Sequence, residues 1–262
     1  MFDLGDQLNE IKESLNSVSA VRKYGKVIRS VGTIVEGVGI DVNVGDVCEI
    51  TSAGEALPIK AEVVGFNNGI AQLSPFGPIN GVGSKSLIRK AGNQAKVQVG
   101  PKLLGRVIDG LGNPIDDKGV LIHDEEYPLY ADTMSPLLRE RITEVLDVGV
   151  RAINGLLTLG KGQRVGIFAG SGVGKSTLLG MIARNTTADV NVIALIGERG
   201  REVREFIEKD LGEEGLSRSV VVVATSDQAP PLRIRGAYLA TTIAEYFRDK
   251  GKDVILMMDS AT

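Results

Sequence analysis

The run from Arg164 to Thr177, RVGIFAGSGVGKST, restricts the fold more than any other part of the chain. Its apolar start (Val165, Gly166, Ile167, Phe168, Ala169) predicts a strand. A glycine-rich turn follows, Gly170-Ser171-Gly172-Val173-Gly174, and ends in Lys175-Ser176-Thr177. Leu178, Leu179, Met181 and Ile182 then recur with helical spacing. Strand, glycine loop, Lys-Ser and helix, in that order, form a phosphate-binding loop. Backbone N–H groups hold most of such a ligand, and glycine lets the chain wrap closely at positive φ. The helix N-terminus adds partial positive charge. Lys175 is placed to reach the β- and γ-phosphates of ATP, and the Ser176 hydroxyl to bind Mg²⁺. One position departs from the usual pattern: Ala169 stands where a glycine normally opens the loop, which suits a tight turn if its φ stays negative.

The chain has 262 residues, enough for two domains or one large one, and its apolar fraction of 43% is ample for a core. A net charge of −3 argues against a general nucleic-acid-binding surface. The single Cys48 excludes an internal disulfide and a cysteine zinc cluster, and the single His123 argues against a Ser–His triad. His123 sits in a polar run with Asp124, Glu125 and Glu126 that reads as a solvated loop. Acidic residues at Asp3, Asp6, Glu10 and Glu13 interrupt any signal-like apolar start, and no run of about 20 apolar residues could span a bilayer.

Three regions follow from the texture of the sequence. Residues 1–22 place Leu4, Leu8, Ile11, Leu15 and Val18 at helical spacing, an amphipathic helix that either packs on its own domain or docks a partner. Residues 23–92 hold short β-rich runs, Val27–Val35, Val47–Ile50, Ala61–Phe66 and Gly69–Leu73, between glycine turns, which predicts a small closed barrel. Its aromatics, Tyr24, Phe66 and Phe76, are too sparse for a base-stacking platform, so a structural or oligomer-contact role is expected. Residues 93–262 form the core that carries the phosphate loop. There a short strand at Gly105–Ile108, a charged segment at Leu137–Asp147 and a helix at Gly149–Leu157 precede the loop. After it, apolar strands at Val190–Ile196, Ser219–Ala224 and Asp253–Met258 alternate with helices at Glu202–Leu211 and Ile234–Lys250. That alternation predicts an α/β fold, a RecA-like parallel sheet with helices on both faces.

Ligands of such sheets sit at the carboxyl ends of the strands. The rule selects the loop at Gly170–Lys175, Glu198 after one strand and Asp259 after the last. Asp259 suits a Mg²⁺ held through its water shell. Glu198 suits a carboxylate that orients and polarises the attacking water, and Arg199 a cation for the γ-phosphoryl oxygens. Arg201, Glu202 and Arg204 read as solvated charges at a helix start.

With these residues laid out, the chain resembles the rotary-type ATPases, and within them the flagellar and type III secretion export ATPases. The resemblance rests on GRVIDGLGNPID (Gly105–Asp116), GQRVGIFAGSGVGKST (Gly162–Thr177), ALIGERGREV (Ala194–Val203), VVVATSDQ (Val221–Gln228), ATTIAEYFRDKGKDV (Ala240–Val254) and LMMDSAT (Leu256–Thr262). It implies a cytoplasmic homohexamer, peripheral to the inner membrane at the base of an export apparatus, with ATP sites between subunits. It carries over Lys175 and Ser176 as phosphate and Mg²⁺ contacts, Glu198 as catalytic carboxylate, Arg199 as γ-phosphate contact and Asp259 as Mg²⁺-shell carboxylate. It also implies a regulatory stator-like partner at the N-terminal helix, together with export-gate components, export substrates and chaperones. The family continues past the Asp-Ser-x-Thr motif, so this chain is expected to be a fragment, incomplete at its C-terminus and weakly active alone. Three other readings are a rotary ATP-synthase catalytic subunit, an RNA-translocating hexamer and a nucleotide-binding interaction module without turnover.

Overall fold

The structure, a computed structural model, describes residues 23–52, 57–92, 96–132, 134–170 and 172–260. The helix expected within residues 1–22 and Ser171 of the glycine loop lie outside the described residues. The chain divides into two compact units, residues 1–93 and 94–262.

The first unit is a closed antiparallel barrel. Its strands are β1 (Gly25–Val31), β2 (Ile34–Val38), β3 (Val47–Thr51), β4 (Ile59–Asn67), β5 (Ile70–Pro75) and β6 (Leu87–Gly92). They close in the order β1-β2-β5-β4-β3-β6, so none is left as an edge. Alternate residues point inward, and Val27, Val35, Cys48, Ile50, Ala61, Val63, Ala71, Leu73 and Ile88 make the core. A Cβ on Gly37 would lie 2.1 Å from Ile88 Cδ1, so this glycine makes room for the Ile88 side chain. The run expected as one strand, Val27–Val35, is two: Gly32 at φ 59° turns the chain into a β1–β2 hairpin. The β-branched residues on both sides hide that turn in the sequence.

The second unit holds β7 (Lys96–Val99), β8 (Arg106–Asp109), β9 (Glu125–Pro128), β10 (Val145–Leu146), α1 (Arg151–Leu156), β11 (Leu159–Gly160), α2 (Lys175–Asn185) and β12 (Val190–Ile196). It continues with α3 (Gly200–Glu205), a π-helical turn (Phe206–Leu211), α4 (Gly212–Ser217), β13 (Ser219–Ala224), α5 (Pro230–Asp249) and β14 (Val254–Asp259). Its main sheet runs β14-β12-β13-β8, and every pair in it is parallel. Both faces are covered. Val192, Ala194, Val220 and Val222 pack with Leu239, Ile243 and Phe247 of α5. Their neighbours in sequence, Ile193, Leu195, Val221 and Val223, pack with Leu179 and Ile182 of α2 and with Phe206 and Leu211. Burial on two sides is why these strands read as unbroken apolar runs.

Two expectations are corrected. The run Val165–Ala169 is not a strand: it takes no place in the sheet, and Val165 and Phe168 are 54% and 97% exposed. An apolar run becomes a strand only where a neighbour accepts its ladder, and among the described residues no strand pairs with it. His123 is half-buried rather than solvated. Its Nδ1 is shielded without a hydrogen-bond partner among the described residues, and burial lowers its pKa.

Candidate nucleotide site

The glycine loop enters α2 through two left-handed residues, Gly172 (φ 76°) and Gly174 (φ 94°), whereas Ala169 keeps a negative φ. Gly174 is the N-cap of α2 and offers no side-chain cap, so the first-turn N–H groups have no partner within the helix. Gly170, Gly172, Val173, Gly174 and Thr177 are exposed, and Lys175 and Ser176 are half-buried.

The two carboxylates predicted at strand ends are held by the sheet. β12 and β14 run in register with Leu195 opposite Asp259. Beyond β12, Gly197 at φ 77° turns the chain. The Gly197 N–H donates to the Ala224 carbonyl (2.6 Å), and the Glu198 carbonyl accepts from the Ser226 N–H (3.0 Å). Backbone bonds to β13 and the residues after it therefore fix where Glu198 starts. Past β14, the Ser260 N–H donates to the Ile196 carbonyl at 3.1 Å.

Lys175, Ser176, Glu198 and Asp259 come together. Lys175 Nζ donates to Asp259 Oδ1, with the carboxylate buried. Ser176, Glu198, Glu202 and Asp259 share a cavity of about 10 Å³ with Leu195, Val203 and Phe206. A single water needs about that much room. The apolar walls act on the acids. Burial, then the Asp259 charge, then a hydrogen bond with the Glu202 carboxyl raise the Glu198 pKa. The Lys175 pKa is raised too, chiefly by its bond to Asp259 and further by the nearby charges of Glu198 and Glu202.

Arg199 is placed differently. It is the N-cap of α3, 67% exposed in its side chain, and its Nη1 donates to Glu202 Oε1 at 3.3 Å. It does not line the cavity. Glu202, read from the sequence as a solvated helix-start charge, does line it. Its spacing of four from Glu198 was the available signal, since residues four apart around a helix start share one face.

The donor set fits a magnesium nucleotide. Three carboxyl groups face one amine, an excess of negative charge that a cation would relieve. The Ser176 hydroxyl and the Asp259 carboxylate are hard oxygen donors. Among the described residues no cluster of three or more His, Cys, Asp or Glu could hold a metal by itself. Mg²⁺ would therefore rely on substrate phosphates and water for its other ligands, which is its usual habit in phosphoryl-transfer sites.

Known proteins resemble this chain over most of its length. Residues 149–262 match the model of the ATP synthase alpha/beta family, nucleotide-binding domain. The chain is 51% identical over 252 residues to a type 3 secretion system ATPase of Xanthomonas euvesicatoria, covering 96% of this chain and 57% of that protein. It is also 51% identical over 253 residues to a flagellum-specific ATP synthase of Bacillus subtilis, covering 95% of this chain and 57% of that protein. Among solved structures, it is similar to the assembled ATPase EscN in complex with its central stalk EscO, from the type III secretion system of enteropathogenic E. coli. That match has a TM-score of 0.83 and 47% identity, and covers 90% of this chain and 57% of that one. The chain thus spans little more than half the length of the relatives it matches. Residues 149–262 thus match the nucleotide-binding domain of the ATP synthase alpha/beta family, and over most of its length the chain is similar to type III secretion and flagellum-specific ATPases.

Proposed function

We propose that this chain carries the nucleotide site of a protein-export ATPase, an enzyme that couples ATP hydrolysis to delivery of flagellar or other type III secretion proteins. The observation behind the reading is the meeting of Ser176, Glu198 and Asp259 around one cavity at the carboxyl ends of β12 and β14, with Lys175 paired to Asp259. In this reading residues 93–262 are the ATPase core, residues 23–92 a barrel domain, and residues 1–22 a docking helix for a regulatory partner.

The residues divide the work by chemistry. N–H groups of Gly170–Thr177 cradle the phosphates, with glycines where the backbone must approach at positive φ. Lys175 leaves Asp259 and donates to the β- and γ-phosphates, a charge-assisted exchange of one anion for another. Ser176 and, through water, Asp259 would hold Mg²⁺, which supplies charge neutralisation at the phosphate oxygens. Glu198 accepts hydrogen bonds from the attacking water and aligns it with the γ-phosphorus. Arg199, exposed at the rim, swings from Glu202 to the γ-phosphoryl oxygens, where negative charge concentrates.

The partners follow from relatives. The EscN structure is an assembly bound to a central stalk, which supports a homohexamer with a stalk partner here. Export substrates, chaperones and gate components belong to the same reading, as does a cytoplasmic position against the inner membrane. Among the described residues no helix is long and apolar enough to cross a membrane.

Glu198→Gln tests the assignment. The amide keeps the shape of the site and loses the carboxylate. Hydrolysis is expected to fall by about 10² or more, with nucleotide affinity changed by less than about threefold. Unchanged hydrolysis in Glu198→Gln would remove Glu198 from the mechanism and leave a nucleotide-binding module.

A further inference from the structure

The second unit carries a separate cleft at the end of α5 away from the nucleotide site. α5 leaves the carboxyl end of β13 and returns the chain to the start of β14, and both strands run parallel to β12. Its last turns therefore lie at the amino ends of the strands. There a cleft of about 520 Å³ opens between the end of α5, the segment after β9, Arg139 and Arg164. Sites that hold a drug-sized ligand span about 300–1,000 Å³. One wall is apolar and held in place. Tyr127 packs edge-on against Tyr246, with ring centroids 5.4 Å apart, and Tyr246 is buried. Pro128 and Met134 extend that wall. The rest is charged. Arg248 is occupied by Asp249, to which it donates from Nε at 3.0 Å and from Nη2 at 2.7 Å. Arg139, Arg164, Asp132 and Glu245 differ. Among the described residues their side chains make no hydrogen bond and no ion pair, although all four line the one cleft. Glu245 is half-buried, so its carboxyl has given up part of its water without gaining a partner.

We propose that this cleft binds an extended stretch of polypeptide that carries both acidic and basic side chains. The guanidinium groups of Arg139 and Arg164 offer donors to carboxylates and to peptide carbonyls. The carboxylates of Asp132 and Glu245 accept from ammonium, guanidinium and peptide N–H groups. A ligand of one sign would meet repulsion from half of these groups. The wall of Tyr127, Pro128 and Met134 suits the methylene stems of long charged side chains, whose heads then reach the charged rim. An unfolded chain brings all of these features in series. That the chain bound there is a protein in transit rests on the export reading above; the chemistry of the cleft does not.

Fluorescence anisotropy of labelled hexapeptides on the full chain tests this. One peptide alternates glutamate and lysine, one is all glutamate, one all lysine, and one is built of glycine and serine. The alternating peptide is expected to bind more tightly than the other three. An exposed ion pair is worth up to about fivefold in affinity, and reversing one charge turns an attraction into a repulsion. Arg139→Glu is therefore expected to weaken the alternating peptide about fivefold or more and to strengthen the all-lysine peptide. Glu245→Arg is expected to weaken the alternating peptide to a similar degree and to strengthen the all-glutamate peptide. Opposite shifts of preference are not produced by a loss of folding. Both variants should bind a fluorescent Mg²⁺-ATP analogue within about twofold of the unsubstituted chain, because the nucleotide site is remote from the cleft. The proposal is overturned if the alternating peptide binds no more tightly than the glycine-serine peptide, or if the two variants leave the order of preference unchanged. It is also overturned if free glutamate and lysine displace the alternating peptide as well as unlabelled peptide does, since the ligand would then be a small zwitterion. Glu198→Gln separates this from the export reading. If it keeps hydrolysis while the alternating peptide binds, the assignment of Glu198 is wrong and the cleft stands; if it loses hydrolysis while no peptide binds, only the cleft is wrong.

Discussion

Arg106 and Asp116 carry one of the strongest local interactions in the second unit. Arg106 Nε donates to Asp116 Oδ2 at 2.7 Å and Arg106 Nη2 to Oδ1 at 2.8 Å, a bidentate pair. The side chains are only 12% and 5% exposed. The Val107 N–H donates to the same carboxylate at 3.0 Å and the Lys118 N–H at 3.2 Å. These bonds, Arg106 first, hold the Asp116 carboxyl far below the usual carboxylate range against the opposing effect of burial. A depressed carboxyl contributes stability that is fully present above its unfolded pKa, about 3.9, and is lost as pH falls towards its folded value. Asp116→Asn leaves a shielded guanidinium facing a neutral group. A loss of about 3–5 kcal/mol is expected at neutral pH from denaturant midpoints. Below about pH 4 the gap between the two proteins should narrow, because Asp116 then takes up a proton in the unfolded chain while the folded carboxyl resists it.

Among the elements, α2 and the π-helical turn show how closely the phosphate-loop helix is seated. A Cβ on Gly180 of α2 would lie 2.4 Å from the Asp210 carbonyl oxygen, so backbone meets backbone there. Ala is the better helix former by about 1 kcal/mol, yet Gly180→Ala should destabilise by about 1–3 kcal/mol in denaturant titration, because neither backbone can yield cheaply. Gly155→Ala in α1 has nothing within 4 Å of the added methyl and should instead be neutral or slightly stabilising. The elements also show what the sequence could and could not disclose. β12, β13 and β14 were legible because burial on both faces leaves unbroken apolar runs. β6 (LIRKAG) and β9 (EEYP) were not, because consecutive charged residues, Arg89-Lys90 and Glu125-Glu126, interrupt the alternation. Val165–Ala169 looked like a strand on composition alone, but strand formation depends on a neighbour that composition cannot supply. The π-helical turn leaves no periodic signal at all. At the site, Lys175, Ser176, Glu198 and Asp259 could be named from strand ends and spacing. Glu202 was passed over because acidic residues are ordinary in the first turn of any helix.

At the scale of the whole molecule, the two units each have their own core, and among the described residues every α-helix belongs to the second. The far-ultraviolet helix signal of the described residues therefore follows the nucleotide unit, and the barrel needs a separate probe. Nucleotide at about a hundred times its dissociation constant should stabilise its own unit by about 2.7 kcal/mol. The expected outcome is an upward shift in the helix melting midpoint with Mg²⁺-ATP and no shift in the opening of the barrel; equal shifts would mean that the units melt as one. The barrel supplies its own probe. Cys48, the one cysteine in the chain, has no solvent exposure and sits among Val27, Ile50, Ala61 and Ile88. Burial first, and then the Asp46 charge, push its thiol up to about 11, so little thiolate forms at neutral pH even if a reagent could reach it. A maleimide or disulfide reagent can react only when the strands part. The rate at which the native chain consumes it thus counts barrel openings one by one, with no label to attach and no residue to replace.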